Sequence, residues 1–143
     1  MSADLTPEQY RDLAEFRRQI RGFLHFSEAT ARQHSIEPQH HQLMLAVRGL
    51  PEGVKPTIRE LASRMYIRHH SAVELVNRLE HTGAVTREPG EDDKREVWIR
   101  LTTAGRAALR KLALTHREEL ERSGPRFAQA LSSVLRHSAK AGA

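Results

Sequence analysis

The spacing of apolar residues changes at Gly83, and this change constrains the fold more than any other feature of the sequence. Before Gly83, apolar side chains recur every three or four positions, which is typical of helices that bury one face. After it, residues 97–101 alternate like a strand with one buried face, and residues 85–88 can pair with them in a hairpin. The side chains expected on the buried face of the second strand are Val97, Ile99 and Leu101. The chain is therefore predicted to be mainly helical with one small β-hairpin.

Capping residues and prolines mark the first two helices. Thr6 and Gln9 form a capping box, which begins a helix that runs to about His34. Pro38 ends this helix because the residue before a proline avoids the helical conformation. A second helix is predicted over residues 39–50.

A pair of shorter helices follows. Thr57 and Glu60 form a second capping box, in which the hydroxyl and the carboxylate each satisfy a backbone N–H at the start of a third helix. A fourth helix is predicted over residues 68–82, and Gly83 supplies its C-terminal stop.

The chain beyond the hairpin is predicted to form a long helix and then a last one. Thr102 or Thr103 caps the long helix. Gly124-Pro125 is expected to interrupt it, because proline lacks the backbone N–H that a helix interior needs.

Composition excludes several classes of protein. The 143 residues fit one domain better than two, and no long uncharged apolar run is present, so we expect a soluble, cytoplasmic protein. The sequence has 0 cysteines, which excludes disulfides, thiolate zinc sites, cysteine nucleophiles and thiol redox sensors. No nucleotide, metal-ligand or nucleophile motif appears, so we expect neither an enzyme nor a cofactor.

The positive charge is concentrated in the middle of the chain. The net charge is +5, and residues 55–111 hold twelve basic against eight acidic residues. Residues 1–37 hold five basic against six acidic residues. This distribution favours a polyanionic partner such as nucleic acid.

A short capped helix, a turn, a second helix and a hairpin with a charged tip are the parts of a winged helix-turn-helix. In that arrangement the second helix enters the major groove of DNA, and its polar face reads base edges. The polar residues on this face are Arg68, His69, His70, Ser71, Glu74, Asn77 and Arg78. The sequence therefore predicts a surface for double-stranded DNA, whereas the helices alone would also suit a bundle with a solvated polar face.

Residues 93–105 read DKREVWIRLTTAG, which resembles the D-x-R, apolar alternation and L-T-x-x-G of the MarR family of bacterial winged-helix transcription regulators. The resemblance extends from Pro38 to about Leu120, well over half of the chain. It includes residues 76–80 and 83–85, in the order and spacing of the fourth helix and the first wing strand.

The resemblance implies a homodimer that binds a pseudo-palindromic operator, usually as a repressor, and releases it when a small, often aromatic, ligand binds. Within a single domain, residues 38–103 would form the winged DNA-binding lobe, and residues 1–37 and 104–143 the dimerisation helices. The ligand would lie between the dimer helices and the lobe. The residues that we expect to line this pocket are His25, His41 and Met44.

The resemblance also assigns roles to the tip of the hairpin. Arg95 is the wing arginine expected to reach a minor groove, and Asp93 is the carboxylate that orients it. Arginine suits this role because its planar guanidinium stays charged, and narrow minor grooves concentrate negative potential. Lys94 is expected to contact a phosphate.

Glu74 departs from the family pattern, since many relatives place a basic or small hydroxyl residue there. A carboxylate would repel phosphates unless it accepts from a cytosine amino group or pairs with Arg78. Glu74 and the modest net charge favour an alternative function, a winged-helix module that binds protein and not DNA.

The nine histidines suggest a metal site at first. However, the neighbours in His40-His41 and in His69-His70 point about 100° apart on a helix, so neither pair suits one ion. No metal site is therefore predicted.

Overall fold

The computed structural model describes residues 4–141, with side chains as far as Arg136. In chain order its elements are α1 (Pro7–Gln33), α2 (Pro38–Arg48), α3 (Ile58–Met65), α4 (His69–His81), β1 (Val85–Pro89), β2 (Val97–Leu101) and α5 (Thr103–Ala141). The predicted fold class, mainly helical with a small β-hairpin wing, is confirmed. None of the helices described combines the length and the hydrophobicity that a membrane span requires.

The chain forms two compact units. Residues 31–113 make up one, which we call the winged unit because it holds α2, α3, α4 and the hairpin. The other, the helical unit, consists of the residues up to Thr30 and those from Leu114 onward. α1 and α5 each contribute residues to both units.

The core of the winged unit consists of apolar side chains from the helices and both strands. Its buried members are Leu43, Met44, Leu61, Leu75, Val76, Leu79, Val85, Ile99, Leu101 and Leu109. Burying one such side chain contributes about 1.5–3 kcal/mol. This core fixes one face of α4 and leaves the opposite face to solvent.

The two strands pair antiparallel, from Val85 opposite Leu101 to Pro89 opposite Val97. The backbone N–H of Ile99 also donates to the carbonyl oxygen of Pro56, at 2.8 Å. The wing is therefore joined by its backbone to the segment that precedes α3.

The predicted alternation of β2 is right for Ile99 and Leu101 but wrong at Val97. Val97 is 46% exposed, whereas Trp98 is only 6% exposed. The reason is that the indole of Trp98 packs closely against the hairpin tip. A Cβ added to Gly90 would lie only 2.9 Å from Nε1 of Trp98. The indole thus packs under the tip, while Val97, the first residue of β2, is exposed to solvent.

The helical unit is held together by aromatic contacts between α1 and α5. The rings of Phe16 and Phe127 meet edge to face, with centroids 5.7 Å apart. Phe26 meets the ring of His116 at 5.7 Å, and Nε2 of His116 lies 2.8 Å from Oγ of Ser27.

α5 runs without a break through Gly124-Pro125, so the prediction of a separate last helix is wrong. Proline removes one backbone N–H from the helix, but the turns on either side are held independently. Before it, the hydroxyl of Ser123 donates to the carbonyl of Glu119 at 2.9 Å. After it, Phe127 is half-buried and Ala130 is buried.

The capping predictions are confirmed at Thr6 and only half confirmed at Thr57. Thr6 and Gln9 exchange both hydrogen bonds of a capping box, at 2.8 and 3.1 Å. Thr57 accepts from the N–H of Glu60 at 3.2 Å, but the Glu60 carboxylate accepts from Arg64. The N–H of Thr57 donates instead to the carbonyl of Lys55, at 2.9 Å. A competing cation on the same helix face therefore replaces the second half of the box.

Two glycines and a threonine join the base of the hairpin to the start of α5. Gly83 has a φ of +83°, a conformation that ends α4 without strain. Thr102 accepts from the N–H of Gly105 at 3.0 Å, which makes it the cap of α5. A Cβ on Gly105 would overlap the carbonyl oxygen of Ala84, so this close approach requires glycine.

Candidate nucleic-acid interface

The face of α4 that points away from the core carries the predicted reading residues. Arg68, as N-cap, and His69, His70, Glu74, Asn77 and Arg78 are exposed, and Ser71 is half-buried. The core face of the same helix consists of Ala72, Leu75, Val76 and Leu79. The structure thus places the seven residues on one element, with hydrogen-bonding groups in solvent.

Asn77 is tied to the wing by a contact that the sequence does not reveal. Its side-chain oxygen accepts a hydrogen bond from Nη2 of Arg87 on β1. Nε of Arg87 also lies 3.7 Å from a carboxylate oxygen of Glu80. Arg87 therefore braces α4 against the hairpin through Asn77 and Glu80.

Asp93 holds Arg95 at the wing tip, which we define as residues 90–96. Asp93 accepts from the backbone N–H, Nε and Nη2 of Arg95 at 3.0, 3.1 and 3.2 Å. These bonds, the side-chain ones first, hold the pKa of Asp93 below its ordinary value. The Arg95 side chain is still 92% exposed, so the guanidinium is fixed and accessible. Lys94 is exposed beside it.

Two further cations, which the sequence analysis did not single out, neutralise the other carboxylates of the wing tip. Arg100 lies 2.9 Å from Glu91, and its guanidinium also lies 5.2 Å from the centroid of the Trp98 ring. Lys55, which precedes α3, lies 3.1 Å from Glu96. The hydrogen bond and the negative charge of Glu96 raise the pKa of Lys55. No local sequence signal could link Lys55 with Glu96, because 41 positions separate them.

Tyr66 lies in the turn between α3 and α4 and was also missed. Its φ of 55° is left-handed, a conformation that costs a residue with a side chain roughly 1 kcal/mol or more. The side chain is 96% exposed, and the backbone N–H donates to the carbonyl of Ser63 at 3.2 Å. The turn thus presents an aromatic ring to solvent next to the first residues of α4.

The three predicted ligand-pocket residues have different environments. Met44 is buried and lines a cavity of about 250 Å³ in the winged unit, together with His40 and Ala108. Burial lowers the pKa of His40. His41 is buried, and His25 is exposed on α1.

Among the residues whose side chains are described, no group of three or more His, Asp or Glu is placed to hold a metal ion. The chemical groups gathered on α4 and at the wing tip are hydrogen-bond donors, imidazoles and cations, together with carboxylates, of which those at the wing tip pair with cations. Such groups bind anions and the polar edges of bases.

These elements define a winged helix-turn-helix protein. Residues 34–96 match the model of the MarR family, which confirms the resemblance found in the sequence. No curated protein sequence matches the chain.

Solved structures share the fold at low sequence identity. AbsC, a MarR family transcriptional regulator from Streptomyces coelicolor, is 19% identical, with a TM-score of 0.71 over 97% of this chain and 99% of that one. A MarR family protein from Bacillus stearothermophilus is 19% identical, with a TM-score of 0.69 over 95% and 99%. CouR from Rhodococcus jostii RHA1, bound to p-coumaroyl-CoA, is 19% identical, with a TM-score of 0.68 over 87% and 85%.

Proposed function

We propose that this protein is a DNA-binding transcriptional regulator, a repressor that binds a pseudo-palindromic operator as a homodimer in the cytoplasm. The observation that carries the proposal is Arg95, whose exposed guanidinium donates two hydrogen bonds to Asp93 at the end of a hairpin, with a third from its backbone N–H. A cation fixed in this way loses little conformational freedom when it enters a minor groove, where negative potential is concentrated.

The exposed face of α4 supports the second part of the interface. His69 and His70 lie in the first turn and Arg78 near the last, on a helix whose opposite face is fixed in the core. A helix held in this way can enter the major groove with its polar face towards the bases. Glu74 lies on the same face. Its carboxylate accepts a hydrogen bond from a cytosine amino group or pairs with Arg78.

Selection from a library of random-sequence DNA duplexes tests the proposal. We expect the protein to retain a family of duplexes that share an inverted repeat, and to shift them in a gel at moderate salt. The alternative, a winged-helix module for protein partners, predicts that no duplex is enriched. Equal binding of all sequences would contradict the proposal that the protein recognises a specific operator, and would indicate only general affinity for polyanions.

The protein is expected to be a homodimer. Leucines are exposed along both helices of the helical unit, and exposed apolar helix faces usually mark interfaces. These leucines are Leu13, Leu24, Leu120, Leu131 and Leu135. Sedimentation should give a dimer at micromolar concentration, and the selected half-sites should be about 10 base pairs apart. A monomer in sedimentation would contradict this prediction.

We further propose that a small aromatic acid or its thioester releases the operator. CouR, which shares this fold, binds p-coumaroyl-CoA. The pocket residues proposed for this ligand are His25, His41 and Met44. A ligand that binds the DNA-incompetent form better lowers operator affinity by the coupling free energy, typically 1–3 kcal/mol.

Release should depend on ligand binding and not on oxidation. Because the sequence has 0 cysteines, only its 3 methionines are oxidisable sulfur. Titration of the protein–duplex complex with salicylate-like aromatic acids should weaken binding while sedimentation still shows a dimer. Hydrogen peroxide that reversibly abolished binding, with no effect of the acids at millimolar levels, would contradict this mechanism.

A further inference from the structure

The wing tip contains four carboxylates, those of Glu91, Asp92, Asp93 and Glu96. On a surface that approaches phosphates, each of them needs a cation as a partner. Two of the four pair with cations of the hairpin itself, namely Arg100 and Arg95. The other two, Asp92 and Glu96, share Lys55, which lies outside the hairpin. The charge balance of the wing tip therefore depends on a residue from another part of the chain.

Lys55 is placed between these two carboxylates. Its Nζ lies 3.1 Å from Oε1 of Glu96 and 4.0 Å from Oδ2 of Asp92. The Glu96 side chain is 30% exposed, which makes it the better shielded of the two. An isolated pair on an open surface contributes little, but a lysine shared by two acids of one short loop restricts that loop.

The contact reaches Arg95 through the backbone of the wing tip. The N–H of Glu96 donates to the carbonyl oxygen of Asp93 at 3.0 Å, and the Asp93 carboxylate holds Arg95. The N–H of Gly90 donates to the carbonyl of Glu96 at 3.0 Å, which closes the turn. Fixing Glu96 thus fixes the residue that orients Arg95.

The residues that follow Lys55 connect the same wing to the helix-turn-helix. The carbonyl of Pro56 accepts from the N–H of Ile99 on β2, at 2.8 Å. Thr57 is the N-cap of α3 and accepts from the N–H of Glu60. Three consecutive residues therefore contact the wing tip, the second wing strand and the first helix of the helix-turn-helix.

We propose that Lys55 is a positioning residue for DNA binding: it holds the wing tip, through Glu96 and Asp92, in the orientation in which Arg95 reaches the minor groove. It acts from outside the hairpin and needs no contact of its own with DNA. The inference rests on the proposed function, since it assigns how one part of that interface is set.

Two single substitutions of Lys55 and a charge swap between positions 55 and 96 test this role. Lys55→Met should weaken binding of the duplex selected by the parent protein about tenfold, because the wing tip then loses the ion pairs that hold Arg95 in its binding orientation. Lys55→Arg, which keeps the cation, should bind nearly as the parent does. The double variant Lys55→Glu/Glu96→Lys keeps an ion pair and the net charge, and should return affinity to within about threefold of the parent.

The matched control is Lys111→Met, which removes one lysine from the exposed side of α5 in the same unit and should leave affinity nearly unchanged. Thermal unfolding is recorded for every variant. The comparison of the charge swap with the parent decides the matter even if Lys55→Met is unstable.

Two results would overturn the proposal. One is a Lys55→Met variant that folds and binds like the parent. The other is a folded charge swap that binds about tenfold more weakly than the parent, because an ion pair restored with its charges reversed would then not restore the role of Lys55. If the parent protein itself retains no duplex, the proposed function is wrong. That result is distinct from a failure of the role proposed for Lys55.

Discussion

Arg95→Ala is expected to weaken binding of the selected duplex by roughly ten- to a hundredfold, with the fold and the dimer intact. The loss equals one good specific contact, about 1–3 kcal/mol. The Arg95 side chain is 92% exposed, so its removal should change the free energy of unfolding by less than about 0.5 kcal/mol. Fluorescence anisotropy with the labelled duplex measures the first quantity, and urea unfolding measures the second.

Two companion variants make this result interpretable. Asp93→Ala leaves the guanidinium but removes its two hydrogen bonds and that of the Arg95 backbone N–H, so we expect a smaller loss than for Arg95→Ala. Arg110→Ala removes an exposed arginine from α5, within the winged unit but outside the wing, and serves as the control for charge. If Arg95→Ala binds as tightly as Arg110→Ala, the wing does not contact DNA in the way proposed.

Gly105→Ala is expected to destabilise the winged unit by about 3 kcal/mol, the upper end of what overpacking costs. Helix propensity predicts the opposite sign, because alanine in a helix is favoured over glycine by about 1 kcal/mol. At this position, however, the new Cβ would overlap the carbonyl oxygen of Ala84 and lie 3.0 Å from its carbonyl carbon. Both neighbours are backbone atoms, so relief requires α5 and β1 to separate.

Gly22→Ala in α1 is the matched control for Gly105→Ala. Apart from its chain neighbours and the backbone of its own helix, no atom lies within 4 Å of the position that its Cβ would occupy, so only propensity should act and the protein should become slightly more stable. Urea unfolding of both variants measures whether each substitution raises or lowers the free energy of unfolding. Equal effects of the two substitutions would mean that the close approach at Ala84 does not constrain the fold.

Local signals in the sequence were sufficient for most of the secondary structure. Thr6 and Gln9 form the capping box that their spacing predicts, and Gly83 adopts the positive φ that its place after a helix predicts. Each of these features depends on interactions within a few residues. Asp93 and Arg95 are another such case, because two positions separate them and their hydrogen bonds form within one turn of the chain.

The features that were missed or wrong depend on contacts between distant parts of the chain. Val97 and Trp98 exchange their predicted burial because the tip folds back over the indole. α5 passes through Pro125 because packing on both sides of the proline compensates for one missing N–H. Lys55 could not be found at all, since its partners only come near it in the folded wing.

The hydroxyl of Thr102 closes the base of the wing and leaves its tip free to vary in length. It lies 2.6 Å from the carbonyl oxygen of Gly83, to which it donates, and it caps α5 at Gly105. The N–H of Thr102 donates to the carbonyl of Ala84 at 3.0 Å. Both ends of the hairpin are thus closed at its base, independently of the residues at its tip. Because the strands also place Val85, Ile99 and Leu101 in the core, added residues belong at the wing tip, where lengthening a loop whose ends are already held together costs little entropy.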